Sequence, residues 1–178
     1  MIKNRLIVVL AGALLSLTTV AHADKTAGEV VDDNTVNASV KAALIGNKTT
    51  KAHDINVETY KGTVQLSGFV ESQAEKDEAG KVASGVSGVK DVKNSIAIGG
   101  KTAMGAKLDD SVMTGRVKAA LIDAKDVKSG QINVETKAGI VQLSGFVNSA
   151  AMKDKAGAVA AGVKGVKEVQ NVLVVKTD

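Results

Sequence analysis

The chain has no cysteine, no proline and no tryptophan, and its only aromatics are Tyr60, Phe69 and Phe146. Without cysteine there is no disulfide, no thiolate metal site and no thiol nucleophile. With three aromatics in 178 residues, the core has to be built from Val, Ile, Leu and Ala. Base-stacking platforms of the kind single-stranded nucleic acid needs are missing too. The formal charge of +4 reflects in part Lys3 and Arg5; without them 21 basic residues face 19 acidic ones, a net of +2. A nucleic-acid binder is expected to gather its basic residues on one face, and this sequence does not.

Long apolar runs are scarce as well. The one at Leu6–Val20 follows Lys3 and Arg5 and ends at Ala21-His22-Ala23. A basic start, a short apolar run and an A-x-A site together predict a secretory signal peptide over residues 1–23, cleaved between Ala23 and Asp24. The run is short of the roughly 20 residues a membrane span requires. No cysteine follows for a lipid anchor. The expected product is an exported, periplasmic protein with no transmembrane segment and no lipoprotein linkage, preceded by a short tail at residues 24–31.

The remainder is a tandem repeat. Val64-Gln-Leu-Ser-Gly-Phe-Val70 returns unchanged as Val141-Gln-Leu-Ser-Gly-Phe-Val147, and the match extends both ways without a gap. Setting residues 32–99 against 109–176 gives 38 identities in 68 positions at a constant offset of 77. A repeat fixes the architecture before any other reading, so the chain divides into two small domains, 32–99 and 109–178. Gly99–Lys107 reads as a flexible connection, with the linker at 100–108.

Each copy has the same order of patterns. Asp32-Asp33-Asn34 and Asp109-Asp110-Ser111 offer N-caps to a helix whose apolar face is Val36, Val40, Ala43 and Leu44, or Met113, Val117, Ala120 and Leu121. Two alternating runs follow, Ile55–Thr59 and Thr63–Val70, joined by a Gly-containing turn that predicts an antiparallel hairpin. Gly68 and Gly145, inside the second run, predict a bulge or a close backbone approach. Ser72 with Glu75 forms a capping box for a second helix, and Ser149 keeps half of it. The stripe Ala79, Val82, Ala83 and Val86, repeated at 156, 159, 160 and 163, faces the sheet, and the helix is expected to stop near Gly88 and Gly165. A third strand follows at Val89–Ile98 and Val166–Val175. The fold class is α+β: two tandem α-β-β-α-β two-layer sandwiches, each with a three-stranded mixed sheet packed against two helices.

These runs carry a resemblance. Val-Lys-Ala-Ala-Leu at 40–44 and 117–121, Ile-Asn-Val-Glu-Thr, Val-Gln-Leu-Ser-Gly-Phe-Val, and Gly-Val-Lys-Asp/Glu-Val at 88–92 and 165–169 resemble the BON domain of bacterial osmotic-stress and nodulation proteins. The resemblance implies a non-enzymatic role at the cell envelope under osmotic stress. It also implies partners among exported or outer-membrane proteins, bound as by a chaperone, or a phospholipid surface. In lipid-anchored relatives membrane contact falls on the first helix of the second domain. The matching stretch here, Val112–Ile122, has no aromatic.

Candidate chemistry is sparse. After the leader, His53 is the only histidine, and Gly130 takes its place in the second copy. Ser67 and Ser144 lie in a strand pattern and not in a nucleophile elbow. The paired aspartates read as helix caps aided by the dipole. No catalytic, cofactor-binding or metal-binding residue is expected, and no cofactor. Charge differs between the copies. The first carries 8 basic and 9 acidic residues (−1), the second 10 and 7 (+3). Arg116, Lys118, Lys125 and Lys128, on or just after the first helix of the second copy, are the candidate contacts to an anionic surface, where each contributes about 1 kcal/mol.

Overall fold

The computed structural model describes residues 32–99 and 104–177, so the leader, its Ala23–Asp24 cleavage point and the tail lie outside the described residues. The first repeat runs α1 (Asp33–Gly46), a 310 turn (Ala52–Asp54), β1 (Ile55–Tyr60), β2 (Thr63–Val70), α2 (Gln73–Ser84), β3 (Asp91–Asn94) and β4 (Ala97–Ile98). The second runs α3 (Met104–Asp123), a 310 turn (Ser129–Gln131), β5 (Asn133–Lys137), β6 (Ile140–Ser144), β7 (Phe146–Val147), α4 (Ala150–Ala161), β8 (Glu168–Asn171) and β9 (Val174–Val175). The α+β class holds, in two copies.

The hairpin forms because its turn residues accept positive φ. Lys61 and Gly62 sit at +51° and +79°, Ala138 and Gly139 at +54° and +84°. Both central residues left-handed is the type I′ geometry that matches strand twist. β1 and β2 pair antiparallel with Tyr60 opposite Thr63, and β3 and β4 then pair parallel to β2. The third strand is thus broken by Ser95-Ile96, and Ile96 turns into the core. β5, β6 and β8, and β7 with β9, repeat the scheme.

One face of each sheet meets its helices. Val36, Val40 and Leu44 of α1 and Ala79 and Ala83 of α2 close on Val57, Val64, Leu66 and Val70. In the second repeat Val117, Leu121, Ala156 and Ala160 close on Val134, Val141, Leu143 and Val147. The alanines let each helix lie near the sheet. Ser72 and Ser149 cap α2 and α4, accepting from the amides of Glu75 and Met152 at 3.2 Å each.

Three local expectations are corrected. The aspartates do not cap: Asp33 reaches the hairpin turn and accepts from the amides of Lys61 (2.7 Å) and Gly62 (2.8 Å), and Asp110 does the same for Ala138 and Gly139. Each pair of left-handed turn amides finds its acceptor in one aspartate, and because α3 starts at Met104, Asp110 lies inside the helix and not at its end. α2 and α4 end at Gly85 and Gly162, a turn before Gly88 and Gly165, whose positive φ serves the following turn instead. α3 already runs at Met104, inside the stretch read as a linker.

Candidate functional site

The alternation that aims Val64, Leu66 and Val70 at the helices aims Gln65, Ser67 and Phe69 at the opposite face. That face is not solvent. Gln65 and Ser67 are buried, as are Gln142 and Ser144, and Phe69 and Phe146 are buried outside both helix-side cores. The two sheets stack back to back, giving four layers: helices, sheet, sheet, helices.

The seam is built by exchange. Gln65 Oε1 accepts from the Gly145 amide at 2.8 Å, and its Nε2 donates to the Val172 carbonyl at 2.6 Å. Gln142 Oε1 accepts from the Gly68 amide at 2.6 Å, and its Nε2 donates to the Ser95 carbonyl at 3.0 Å. Every partner is offset by 77, so the relation is a twofold one. Ser67 Oγ and Ser144 Oγ meet at 2.8 Å where that axis passes. Gly68 and Gly145 have φ of +113° and +122°, and a Cβ there would sit 2.2 Å from the Asp54 and Gln131 carbonyls. Their positions therefore belong to a close backbone approach, one of the two readings of an in-strand glycine, and the same kink turns the amide toward the other repeat.

Two clefts flank the seam, related by the same twofold axis. The larger, about 620 Å³, lies between the first repeat at His53, Asp54, Phe69 and Glu71 and the second at Thr114 and Val134–Lys137. The smaller, about 350 Å³, lies between Glu58–Tyr60 and Gly130–Asn133, with Phe146 and Lys176. Sequence differences at matched positions make them unequal. Tyr60 packs on Phe146 at 5.6 Å between ring centroids, and Lys176 Nζ stands 5.1 Å from the Tyr60 ring. The residue matching Tyr60 is Lys137, whose stem lies with Phe69 against Gly99. Without the second ring that cleft is wider. Around the smaller one, Thr59 Oγ1, Gln131 Oε1 and Asn133 Nδ2 are buried without a hydrogen-bond partner.

In the larger cleft Glu135 accepts from Asn56 Nδ2 across the seam. Burial pushes its carboxyl above the usual range, and the charge of Asp54 adds to this; the Asn56 bond and the positive charges of Lys118 and Lys137 act against it. His53 is at the cleft mouth, its side chain 78% exposed and 3.3 Å from Asp54. Among the described residues no three of His, Asp and Glu gather to hold a metal ion. Nor is any described helix long and apolar enough to cross a membrane.

The four basic residues singled out in the sequence are all exposed, but they do not form one patch. Arg116 and Lys118 are two positions apart on α3, so about 200° apart around it. Arg116 lines a cleft of about 450 Å³ with Lys164, Lys167 and Val112. Lys118 lines a separate apolar cleft of about 240 Å³ with Leu121, Ile122, Ile132 and Val134. Lys125 and Lys128 follow α3 in the loop toward the 310 turn. What the sequence reading missed is the glutamine pair. Its signal was a glutamine kept, with the serine two residues on, at the same place in both copies of a largely apolar strand.

Comparison with known proteins agrees with the repeats. The family model described as BON domain matches residues 32–100 and again 109–177. The chain is 43% identical over 151 residues to the osmotically-inducible protein Y of Escherichia coli, spanning 84% of this chain and 75% of that protein. It is 33% identical over 150 residues to a 21 kDa hemolysin of Actinobacillus pleuropneumoniae, spanning 84% and 77%. It is 32% identical over 151 residues to the outer membrane lipoprotein DolP of Haemophilus influenzae, spanning 84% and 78%.

Proposed function

This chain belongs to the BON-domain family, and on that premise we propose that it is a non-enzymatic periplasmic protein of the envelope stress response that holds exported or outer-membrane polypeptides as a chaperone does. The family and the relatives' names, one osmotically inducible and one of the outer membrane, support the address and the setting. The observation that carries the holding role is the open cleft at the seam together with the apolar cleft beside it, where Ile122 is 68% exposed. Exposed apolar surface beside an open cleft suits weak contacts with partly folded chains. Two repeats locked in one body present such surfaces at fixed separation, so weak contacts add through effective concentration.

The test is aggregation of a urea-unfolded outer-membrane β-barrel protein after dilution. Slowed aggregation at about equimolar protein is expected. No slowing at about tenfold excess, with no complex by cross-linking, removes the reading.

A second reading has its own observation. Val112, 54% exposed, borders the cleft that also holds Arg116, Lys164 and Lys167 beside Asp109 and Asp110, so an apolar side chain stands at a cleft with a small excess of positive charge. This suits peripheral contact with anionic phospholipid. Co-sedimentation with anionic vesicles at low salt, lost at high salt and lost in Arg116→Glu but kept in Lys118→Glu, would favour it.

A further inference from the structure

Among the described residues, the buried side-chain polar atoms without a hydrogen-bond partner are Thr59 Oγ1, Gln131 Oε1 and Asn133 Nδ2, and all three residues line the cleft of about 350 Å³. A buried polar group left bare is costly, and three at one cleft point to a group that the fold itself does not supply. The twin cleft shows how the same positions are satisfied. Asn56, which matches Asn133, donates Nδ2 to the Glu135 carboxylate, and Thr136, which matches Thr59, shares a hydrogen bond with the Thr114 hydroxyl at 2.8 Å. In the smaller cleft neither partner is in place. Glu58, the counterpart of Glu135, is exposed and does not meet Asn133. Asn37, the counterpart of Thr114, gives its Nδ2 to the Val57 carbonyl at 2.7 Å.

Charge separates the two clefts as well. Asp54, Glu71, Asp110 and Glu135 line the larger one beside Lys137, so it disfavours an anion. In the smaller one Gln131 takes the place of Asp54, and Lys176 stands where the first repeat has Gly99. Lys176 Nζ lies 5.1 Å from the Tyr60 ring centroid and Lys61 Nζ 5.6 Å from it, so two ammonium groups meet one carboxylate, Glu58, at this rim. The paired rings of Tyr60 and Phe146 add an apolar wall.

We infer that the smaller cleft binds a carboxylate with an N–H donor on the neighbouring carbon, the chemistry shared by a polypeptide C-terminus and a free amino acid. The carboxylate stands to Asn133 as Glu135 stands to Asn56: it accepts from Asn133 Nδ2 and the Thr59 hydroxyl and pairs with Lys176. The N–H donates to Gln131 Oε1, which can only accept, and the ligand's side chain lies against the Tyr60 and Phe146 rings. An anion with acceptors alone leaves Gln131 bare. The three polar atoms are shielded from solvent, so the carboxylate reaches them as Glu58 and Lys176, the more exposed side chains of the rim, turn aside from it and then close on it. The inference goes beyond client holding and does not depend on it.

Tyr60 is the only tyrosine and tryptophan is absent, so tyrosine emission reports on this cleft alone. The purified, isotopically labelled protein is titrated with N-acetyl-leucine, a polypeptide end in miniature, with free leucine, and with N-acetyl-leucinamide, which keeps the body and the N–H but has no carboxylate. At least one of the two acids is expected to change Tyr60 emission with a Kd of about 1 mM or below and to shift the side-chain amide signals of Asn133; the tighter of the two identifies the source. N-acetyl-leucinamide is expected to bind at least about tenfold more weakly than N-acetyl-leucine, the size of one charge-assisted hydrogen bond. Lys176→Gln is expected to weaken binding by a similar factor, and Lys137→Gln, in the larger cleft, to leave it unchanged. No change in Tyr60 emission or in the Asn133 signals with either acid overturns the site and makes water the partner of the three atoms, while client holding stands or falls by its own aggregation assay. Equal binding of the acid and amide forms, or equal loss in Lys176→Gln and Lys137→Gln, overturns the carboxylate assignment.

Discussion

Gln65 and Gln142 each satisfy two backbone groups of the other repeat. Truncating one leaves a buried amide and a carbonyl unpaired, which costs about 1–3 kcal/mol per group left bare. Gln142→Ala is therefore expected to lower stability by about 2–4 kcal/mol in urea unfolding, while a surface change such as Gln73→Ala stays within about 0.5 kcal/mol. Gly145→Ala meets the Gln131 carbonyl at 2.2 Å and has φ of +122°; it is expected to be worse than either, with loss of soluble protein as the readout. Glu135 gives a pH signature. Its carboxyl is raised in the folded state mainly by burial, so the folded protein binds the proton more tightly than the unfolded chain. By linkage, stability is then lowered above the folded pKa and recovers as pH falls toward the ordinary value of 4.5. Glu135→Gln, which keeps an acceptor for Asn56, is expected to be more stable than wild type at neutral pH. The difference should vanish at pH values below the ordinary one, as followed by thermal melts across pH.

At the level of elements, the helices and the hairpin were legible because each rests on local signals: an apolar stripe of period 3.6, a Gly-containing turn between alternating runs, a Ser with its amide partner three residues on. The errors have one kind of cause. Asp33 and Asp110 carry the residue type and place of a cap, but the amides they bind lie 28 and 29 residues onward, in a turn whose shape no local pattern shows. Asp110→Ala is accordingly expected to loosen the hairpin more than the helix, speeding exchange of the Ala138 and Gly139 amides while α3 amides keep their protection. The glycines at 85 and 88 are both credible helix stops; backbone sign distinguishes them, and sequence does not carry that.

For the whole molecule, duplication replaces what a small domain lacks. A unit of about 70 residues buries only about 60% of its surface, and here each repeat covers the other's polar sheet face. Strand alternation alone reads Gln65, Ser67 and their copies as a solvent face, because a period of two cannot tell water from a second sheet. The seam makes the two repeats one cooperative body, so urea unfolding is expected as a single transition, with circular dichroism and Tyr60 fluorescence coincident. Two separated transitions would mean that the repeats fold independently. The same seam creates the clefts, and the difference between copies, Lys137 for Tyr60, makes them unequal.

The most direct measurement is amide hydrogen exchange at Gly68 and Gly145 in the intact protein. Back-to-back sheets predict both amides protected as strongly as Leu66 and Leu143, with Gln142→Ala releasing Gly68 before Gly145. Fast exchange at both glycines in the wild type, at the rate of an open loop, would contradict the exchanged-glutamine seam and with it the clefts on which the functional reading stands.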